Sequence, residues 1–328
     1  MKSYAELMQR TDAPAGSTWG LWGEADDIGT VNLLTAERVM RASTLVRRGA
    51  VFSLDIPLNA FDPALSPKRG AMEHIIFALN DNHRDDRLNH FYLQGSSQLD
   101  GLRHFRHPQH GFYNGASSED ITVGNPQLGV QRWAEHGIVG RGILLDVDRY
   151  FRSQGRILDH MSAQPISVAD LERVAVEQQV EFESGDILLF RTGWLKAVLA
   201  QDAEERQRLS TSLVSPGLEQ SEEMLAWLWD HQFAVVAADN LAVEAYPVAD
   251  GSPFLTEAEA VGEGRTAHSG MLHRQLIPLV GLALGEMWSL DALAEDCTAD
   301  GVWEFMVVSN PMMLVGGAGS PANAVAIK

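Results

Sequence analysis

Residues 94–115 read QGSSQLDGLRHFRHPQHGFYNG. Gln94, Ser96, Gln98, Asp100 and His104 share one parity, and in an extended chain alternate side chains project from the same face. The stretch therefore lines up two amides and a carboxylate like the ligand row of a metal site, with an imidazole just beyond. Upstream, Asn80 to His90 is rich in charge and amide groups and reads as a polar loop, from which a strand over Phe91 to Asp100 emerges.

Outward from this row the chain alternates strands and helices. Thr35 can cap a helix that runs to about Arg48 and stops at Gly49, followed by a strand over Val51 to Leu58. Gly142 to Val147 is a short apolar run suited to a buried strand. Ser167 with Asp170 makes a capping-box start for a helix carrying Val168, Leu171 and Val174 on one face. Gly185 and Asp186 break the chain before a strand over Ile187 to Phe190. Ser221 opens a helix containing Met224, Leu225, Leu228 and Trp229, and Phe233 to Ala238 and Glu304 to Val308 read as further strands. Such alternation predicts the α/β class. With no repeat, low-complexity tract or linker, it predicts one domain over residues 1–328.

Composition narrows the partners. A chain of 328 residues with 45% hydrophobic content can bury a sizeable core. Its formal charge of −19 disfavours nucleic acid and anionic membrane surfaces, leaving small molecules. Cys297 is the only cysteine, so neither an intrachain disulfide nor a thiolate zinc cluster can form. The first residues, MKSYAELMQRTDAPAG, lack the apolar core of a signal peptide, and no apolar run is long enough to cross a bilayer; a cytoplasmic location is the default expectation.

The 94–104 stretch resembles the signature of the cyclase family of metal-dependent hydrolases, which includes bacterial kynurenine formamidase and isatin hydrolase. The family pattern His-x-Gly-Thr-His-x-Asp-x-Pro-x-His falls here on Gln94, Ser96, Ser97, Gln98, Asp100, Leu102 and His104. Asp100 and His104 match, while both leading histidines are glutamine. Trp22–Val39, Gly137–Tyr150, Ile187–Trp194, Val235–Pro247 and Gly316–Ile327 are similar to segments of the longer branch of that family, in the same order. HRQLIPLVGLALGEMWSLDAL, which begins at His273, resembles the family's His-Arg-x-Leu…Glu-Asn-Leu pattern and supplies His273 and Glu286. Pro278, Gly281 and Gly285 keep these two off one uninterrupted helix, so they must meet through tertiary structure.

The resemblance implies a layered, swivelling β/β/α-type fold with a mixed sheet packed by helices, and assembly as a homodimer or homotetramer. It implies hydrolysis of a C–N bond other than a peptide bond, in a small amide, cyclic imide or lactam, or hydrolysis of a lactone, with water activated by a metal as nucleophile. Gln94, Gln98, Asp100, His273 and Glu286 would be the metal ligands and His104 the general acid/base. A carboxamide oxygen is a harder, weaker donor than imidazole, so Gln94 and Gln98 shift the expected metal from zinc toward manganese, with magnesium or calcium as further candidates. They could also leave a mononuclear site on Asp100, His273 and Glu286. Two other readings stay open: a metal-free binding or scaffold protein on the same fold, and a metal-independent cyclase or dehydratase using Asp100 and His104.

Other motifs carry less. His104, His107 and His110 are spaced by three, but Pro108 breaks any helix that would stack them. His83 and His90 flank the polar loop, and His268 either supports the site or lies on the surface. Phe112 and Tyr113 are candidate pocket walls. GGAGSP at Gly316 to Pro321 lacks the Lys-Ser/Thr ending of a phosphate loop and reads as a tight turn.

Overall fold

Ile138–Asp146, Ile187–Arg191 and Val235–Ala238 are almost wholly buried and nearly continuous in apolar residues, as parallel strands covered on both faces are. In the computed structural model, which describes residues 1–62, 64–66 and 68–328, they lie at the middle of a mixed sheet. The strands are β1 (Val51–Ser53), β2 (Glu73–Asn80), β3 (His83–Asn89), β4 (Gln98–Asp100), β5 (Ile138–Asp146), β6 (Pro165–Ile166), β7 (Ile187–Arg191), β8 (Gly217–Leu218), β9 (Val235–Ala238), β10 (Ala283–Glu286), β11 (Glu304–Ser309), β12 (Gly319–Pro321) and β13 (Ala324–Ile327). Among the described residues, nine form the main sheet in the order β1-β13-β11-β5-β7-β9-β10-β4-β12. Strands β5, β7, β9 and β10 run parallel, and the flanking pairs are antiparallel. The helices Ala36–Ser43 and Val168–Gln178 pack on β5, with Glu222–Asp230 against the latter. This is the α/β class, a mixed sheet packed by helices, that the sequence predicts. No helix among the described residues is long and apolar enough to cross a membrane.

Local signals set most of the boundaries. Thr35, Ser167 and Ser221 cap their helices, and Asp170 completes the capping box with Ser167. The helix after Thr35 ends at Ser43, earlier than expected, and the strand expected over 51–58 is confined to Val51–Ser53. The main departure is the segment 80–90. It is not a loop: β3 pairs with β2 in a hairpin bulged between Ala78 and Asn80 and exposed almost throughout. A ribbon with no buried face has no reason to alternate apolar and polar residues, so its sequence looks like a loop.

The fold positions the site through β4. The expected strand over 91–100 shrinks to Gln98–Asp100, held between β10 and β12 with Glu286 opposite Gln98 and Leu284 opposite Asp100. Opposed residues and residues two apart share a face, so Gln98, Asp100 and Glu286 project together. Behind them, Trp288 Nε1–H donates to the Gln98 carbonyl at 2.9 Å, and the Ser97 hydroxyl donates to the Met287 carbonyl at 2.6 Å. Buried bonds of this kind contribute about 1 kcal/mol each and fix the register. On the approach to β10, Gly29 and Gly281 lie back to back at φ +61° and +69°, and the Thr30 N–H donates to the Gly281 carbonyl at 2.9 Å. A Cβ on Gly29 would collide with the Gly281 backbone, so this approach requires glycine.

Candidate metal centre

Asp100 and Glu286 come from neighbouring strands, and His273 opens a short turn of helix, Leu276–Val280 and Gly281 intervening before β10. The helical backbone runs on through Pro278 as a π-turn and breaks at Gly281, so the glycine and not the proline ends it, and the meeting with Glu286 is tertiary. One ligand-type atom from each of Asp100, His273 and Glu286 lies within 4.8 Å of the others. His273 Nε2 is 3.2 Å from Glu286 Oε1 and 3.6 Å from Asp100 Oδ2. All three are buried: Asp100 and His273 are each 1% exposed and Glu286 6%.

Packing two carboxylates into such a space separates their acidities. Burial, reinforced by the charge of Asp100, pushes the Glu286 carboxyl up to about 7. Burial also opposes ionisation of Asp100, but His104, His273 and the amide of Gln94 outweigh it and hold that carboxyl down at about 2. Burial disfavours a charged His273, yet its hydrogen bonds to Asp100, Glu244 and Glu286 push it well above the usual imidazole range. The cluster draws in positive charge.

Gln98 supplies a further sign. Its Nε2 donates to Glu286 Oε2 and, at 3.5 Å, to Asp100 Oδ1, whereas its Oε1 is buried without a hydrogen-bond partner. An unpaired buried acceptor costs about 1–3 kcal/mol. Two carboxylates, an imidazole nitrogen and a free amide oxygen form a donor set suited to a hard divalent cation, so the residues present fit a metal.

Gln94 is placed differently. It precedes β4, and its Nε2 donates to Asp100 Oδ1 and, at 3.0 Å, to His104 Nδ1; like Gln98 it turns its amide nitrogen to Asp100, but the buried unpaired oxygen belongs to Gln98. Gly319 makes room for it, since a Cβ there would lie 2.7 Å from Gln94 Cγ. Hence GGAGSP is more than a turn: its second half is β12, the edge strand beside β4. His104 Nε2 sits 3.7 Å from Asp100 Oδ2. Burial lowers the pKa of His104; the charge of Asp100 opposes this, while His273 and Arg69 add to it.

A cleft of about 150 Å³ opens over these groups, with Arg69, Phe105, Tyr246 and His268 in its walls. A more apolar cavity of about 270 Å³ adjoins it and shares Ser66, Arg69, Leu213, Leu241 and Met287. Phe105 and Tyr246, not Phe112 or Tyr113, are aromatic walls of the cleft, the Phe105 ring lying 5.0 Å from that of His104 and 5.2 Å from that of His273. Phe112 and Tyr113 belong to the main core, where the Tyr113 hydroxyl donates to Asp26. His268 packs edge-on against Phe105 in the cleft wall and is itself exposed at the surface. His90 lines the adjoining cavity and His83 is exposed on the hairpin. His107 and His110 stack on each other.

Two residues escape the sequence reading. Arg69 sits at the junction of the two cavities and donates to the Gln94 carbonyl. Glu244 is 1% exposed and accepts from His273 Nδ1 at 2.6 Å. A lone charge inside the apolar run Leu241–Ala245 was the available signal for the second; the first had none.

A family model described as "Putative cyclase" matches residues 42–245, more than half of the chain, including the Gln94–His104 row but not His273 or Glu286. Among solved structures, one described as a novel cyclase is 28% identical, with a TM-score of 0.80 and coverage of 95% of this chain and 99% of that one. Isatin hydrolase A from Ralstonia solanacearum is 15% identical, with a TM-score of 0.54 over 90% of this chain and 98% of that one. Isatin hydrolase A from Labrenzia aggregata, bound to benzyl benzoate, is 14% identical, with a TM-score of 0.52 over 87% and 94%. These last two share the fold. No curated protein matches the chain in sequence.

Proposed function

This chain belongs to the cyclase family, and on that premise we propose that it is a hydrolase of a small amide, cyclic imide, lactam or lactone, dependent on a divalent cation. The buried Asp100–His273–Glu286 cluster beneath the cleft carries this reading. These three residues and Gln98 would hold the cation, and its hard oxygen donors favour manganese over zinc. When bound, the cation would supply Lewis acidity, polarising a carbonyl and acidifying water.

The protein's own groups account for the rest. Gln94 donates to His104 Nδ1, which leaves the proton of the neutral ring on Nε2, the nitrogen nearer Asp100. Burial favours the neutral ring, which must first take up a proton, at Nδ1 once Gln94 releases it, before it can deliver one to the leaving nitrogen or oxygen. Phe105 and Met271 exclude water from one side, and the adjoining apolar cavity would take the substrate's body.

The test is turnover of aryl formamides, isatin-like lactams and lactones by protein stripped of metal and then supplied with manganese. Metal-stimulated hydrolysis of at least one supports the proposal; none on any would overturn it in favour of a metal-free binding protein. Activity that survives stripping points instead to a metal-independent Asp100–His104 enzyme. Assembly as a homodimer or homotetramer is part of the same proposal. Ile76, Leu79 and Leu88 are exposed apolar residues on the otherwise charged hairpin, which a second copy would cover. Light scattering should find an oligomer that Ile76→Asp with Leu79→Asp dissociates; a wild-type monomer refutes it.

A further inference from the structure

We infer that Glu244 is the positioning residue of this site: it fixes the His273 ring so that Nδ1 is committed to Glu244 and Nε2 is left for the cation. The role rests on the metal-holding function proposed above for His273. Glu244 Oε1 accepts from His273 Nδ1 at 2.6 Å and from the His273 backbone N–H at 3.0 Å. Its Oε2 accepts from the Leu272 N–H at 2.8 Å and from Gln220 Nε2 at 2.9 Å. Four donors thus converge on one buried carboxylate. The opposite ring nitrogen is the one that lies beside Glu286 and Asp100. A ring held at both its backbone and its Nδ1 has one orientation and one nitrogen to offer.

The chain is bent to put Glu244 there. Val243 has φ +56°, and the Glu244 N–H donates to the Ala242 carbonyl across it, closing a three-residue turn. A β-branched residue in that conformation costs on the order of 1–3 kcal/mol and persists only where neighbours enforce it. They do: the Val243 carbonyl accepts from the Leu218 N–H at 3.0 Å and from Asn240 Nδ2 at 3.1 Å, and the Ala245 N–H donates to the Leu218 carbonyl at 2.9 Å. Met287, directly after Glu286, is likewise at φ +55°. Strain thus falls next to two carboxylates that meet the same histidine. Burying a third carboxylate beside Asp100 and Glu286 makes physical sense where a cation balances the charge.

The experiment compares wild-type protein with Glu244→Gln and Glu244→Leu by calorimetric titration with manganese and by NMR of the imidazole N–H groups in metal-free protein. Glu244→Gln should weaken manganese binding about 10- to 100-fold while leaving the far-UV spectrum unchanged. In metal-free protein the His273 Nδ1–H should resonate far downfield, move upfield in Glu244→Gln and vanish in Glu244→Leu. Unchanged manganese affinity in Glu244→Gln would overturn the inference. If the wild type itself binds no manganese, the metal reading fails separately and the resonance decides: its persistence in Glu244→Leu, or in Glu244→Gln without a shift should the leucine variant not fold, overturns the role.

Discussion

Replacing Asp100 by asparagine keeps the shape of the cluster and removes one of its two carboxylates. Manganese that binds the folded state alone, at a free concentration 100 times its dissociation constant, stabilises by about 2.7 kcal/mol. For 328 residues the unfolding entropy near the midpoint is about 0.7 kcal/mol/K. The wild type should therefore melt about 4 °C higher with manganese than after chelation. If Asp100→Asn weakens binding about 100-fold, the same manganese concentration leaves about 0.4 kcal/mol and a shift under about 1 °C. The same change removes the charge that helps raise Glu286, whose carboxyl should then titrate below about 7. Differential scanning calorimetry of both proteins, stripped and manganese-loaded, reads the shifts directly. Equal manganese shifts in the two proteins would refute the assignment of Asp100 to the cation.

Three further outcomes follow from other parts of the structure. His104→Ala should lower kcat on any substrate found by about 10²- to 10⁴-fold while leaving manganese affinity unchanged, since His104 lies outside the proposed ligand set; a matching loss of affinity in titration calorimetry would reassign it as a ligand. Gln98→His should raise the zinc-to-manganese affinity ratio in competition titrations, because imidazole is the softer donor; an unchanged ratio removes Gln98 from the site. Asp239, fully buried, has its carboxyl pushed from 3.8 up to about 6 by burial, against donors from Thr192 and others that lower it. Between those values the folded state holds a proton that the unfolded state has released. Its contribution is therefore complete below pH about 4 and is lost as pH rises to about 6, a change of roughly 3 kcal/mol. Urea denaturation from pH 4 to 7 should show a decline larger by roughly 3 kcal/mol in the wild type than in Asp239→Asn, where the raised carboxyls of Glu286 and Asp186 still titrate; parallel curves would disprove it.

What the chain disclosed about itself depended on burial. Ile187 to Phe190 and the caps Thr35, Ser167 and Ser221 were legible because a covered strand must be apolar and a helix start needs an acceptor. The hairpin Glu73–Asn89 was not, since exposure on both faces removes the pattern that marks a strand. Asp100, His104, His273 and Glu286 were found through resemblance, and parity alone rightly put Gln98 beside Asp100. Gln94 also meets Asp100, as parity expects, but from the turn before β4 and not from a strand, in space left by Gly319. Glu244 lies far from both halves of the signature, and only the folded turn at Val243 reveals its bond to His273.

The central claim is that Asp100, His273, Glu286 and Gln98 hold one divalent cation. Equilibrium dialysis of stripped protein against manganese, with bound metal counted by elemental analysis, tests it most directly. The structure predicts one saturable manganese per chain in the wild type and none when Asp100→Asn is combined with Glu286→Gln. A wild type that takes up no manganese, or a double variant that takes up as much, contradicts it.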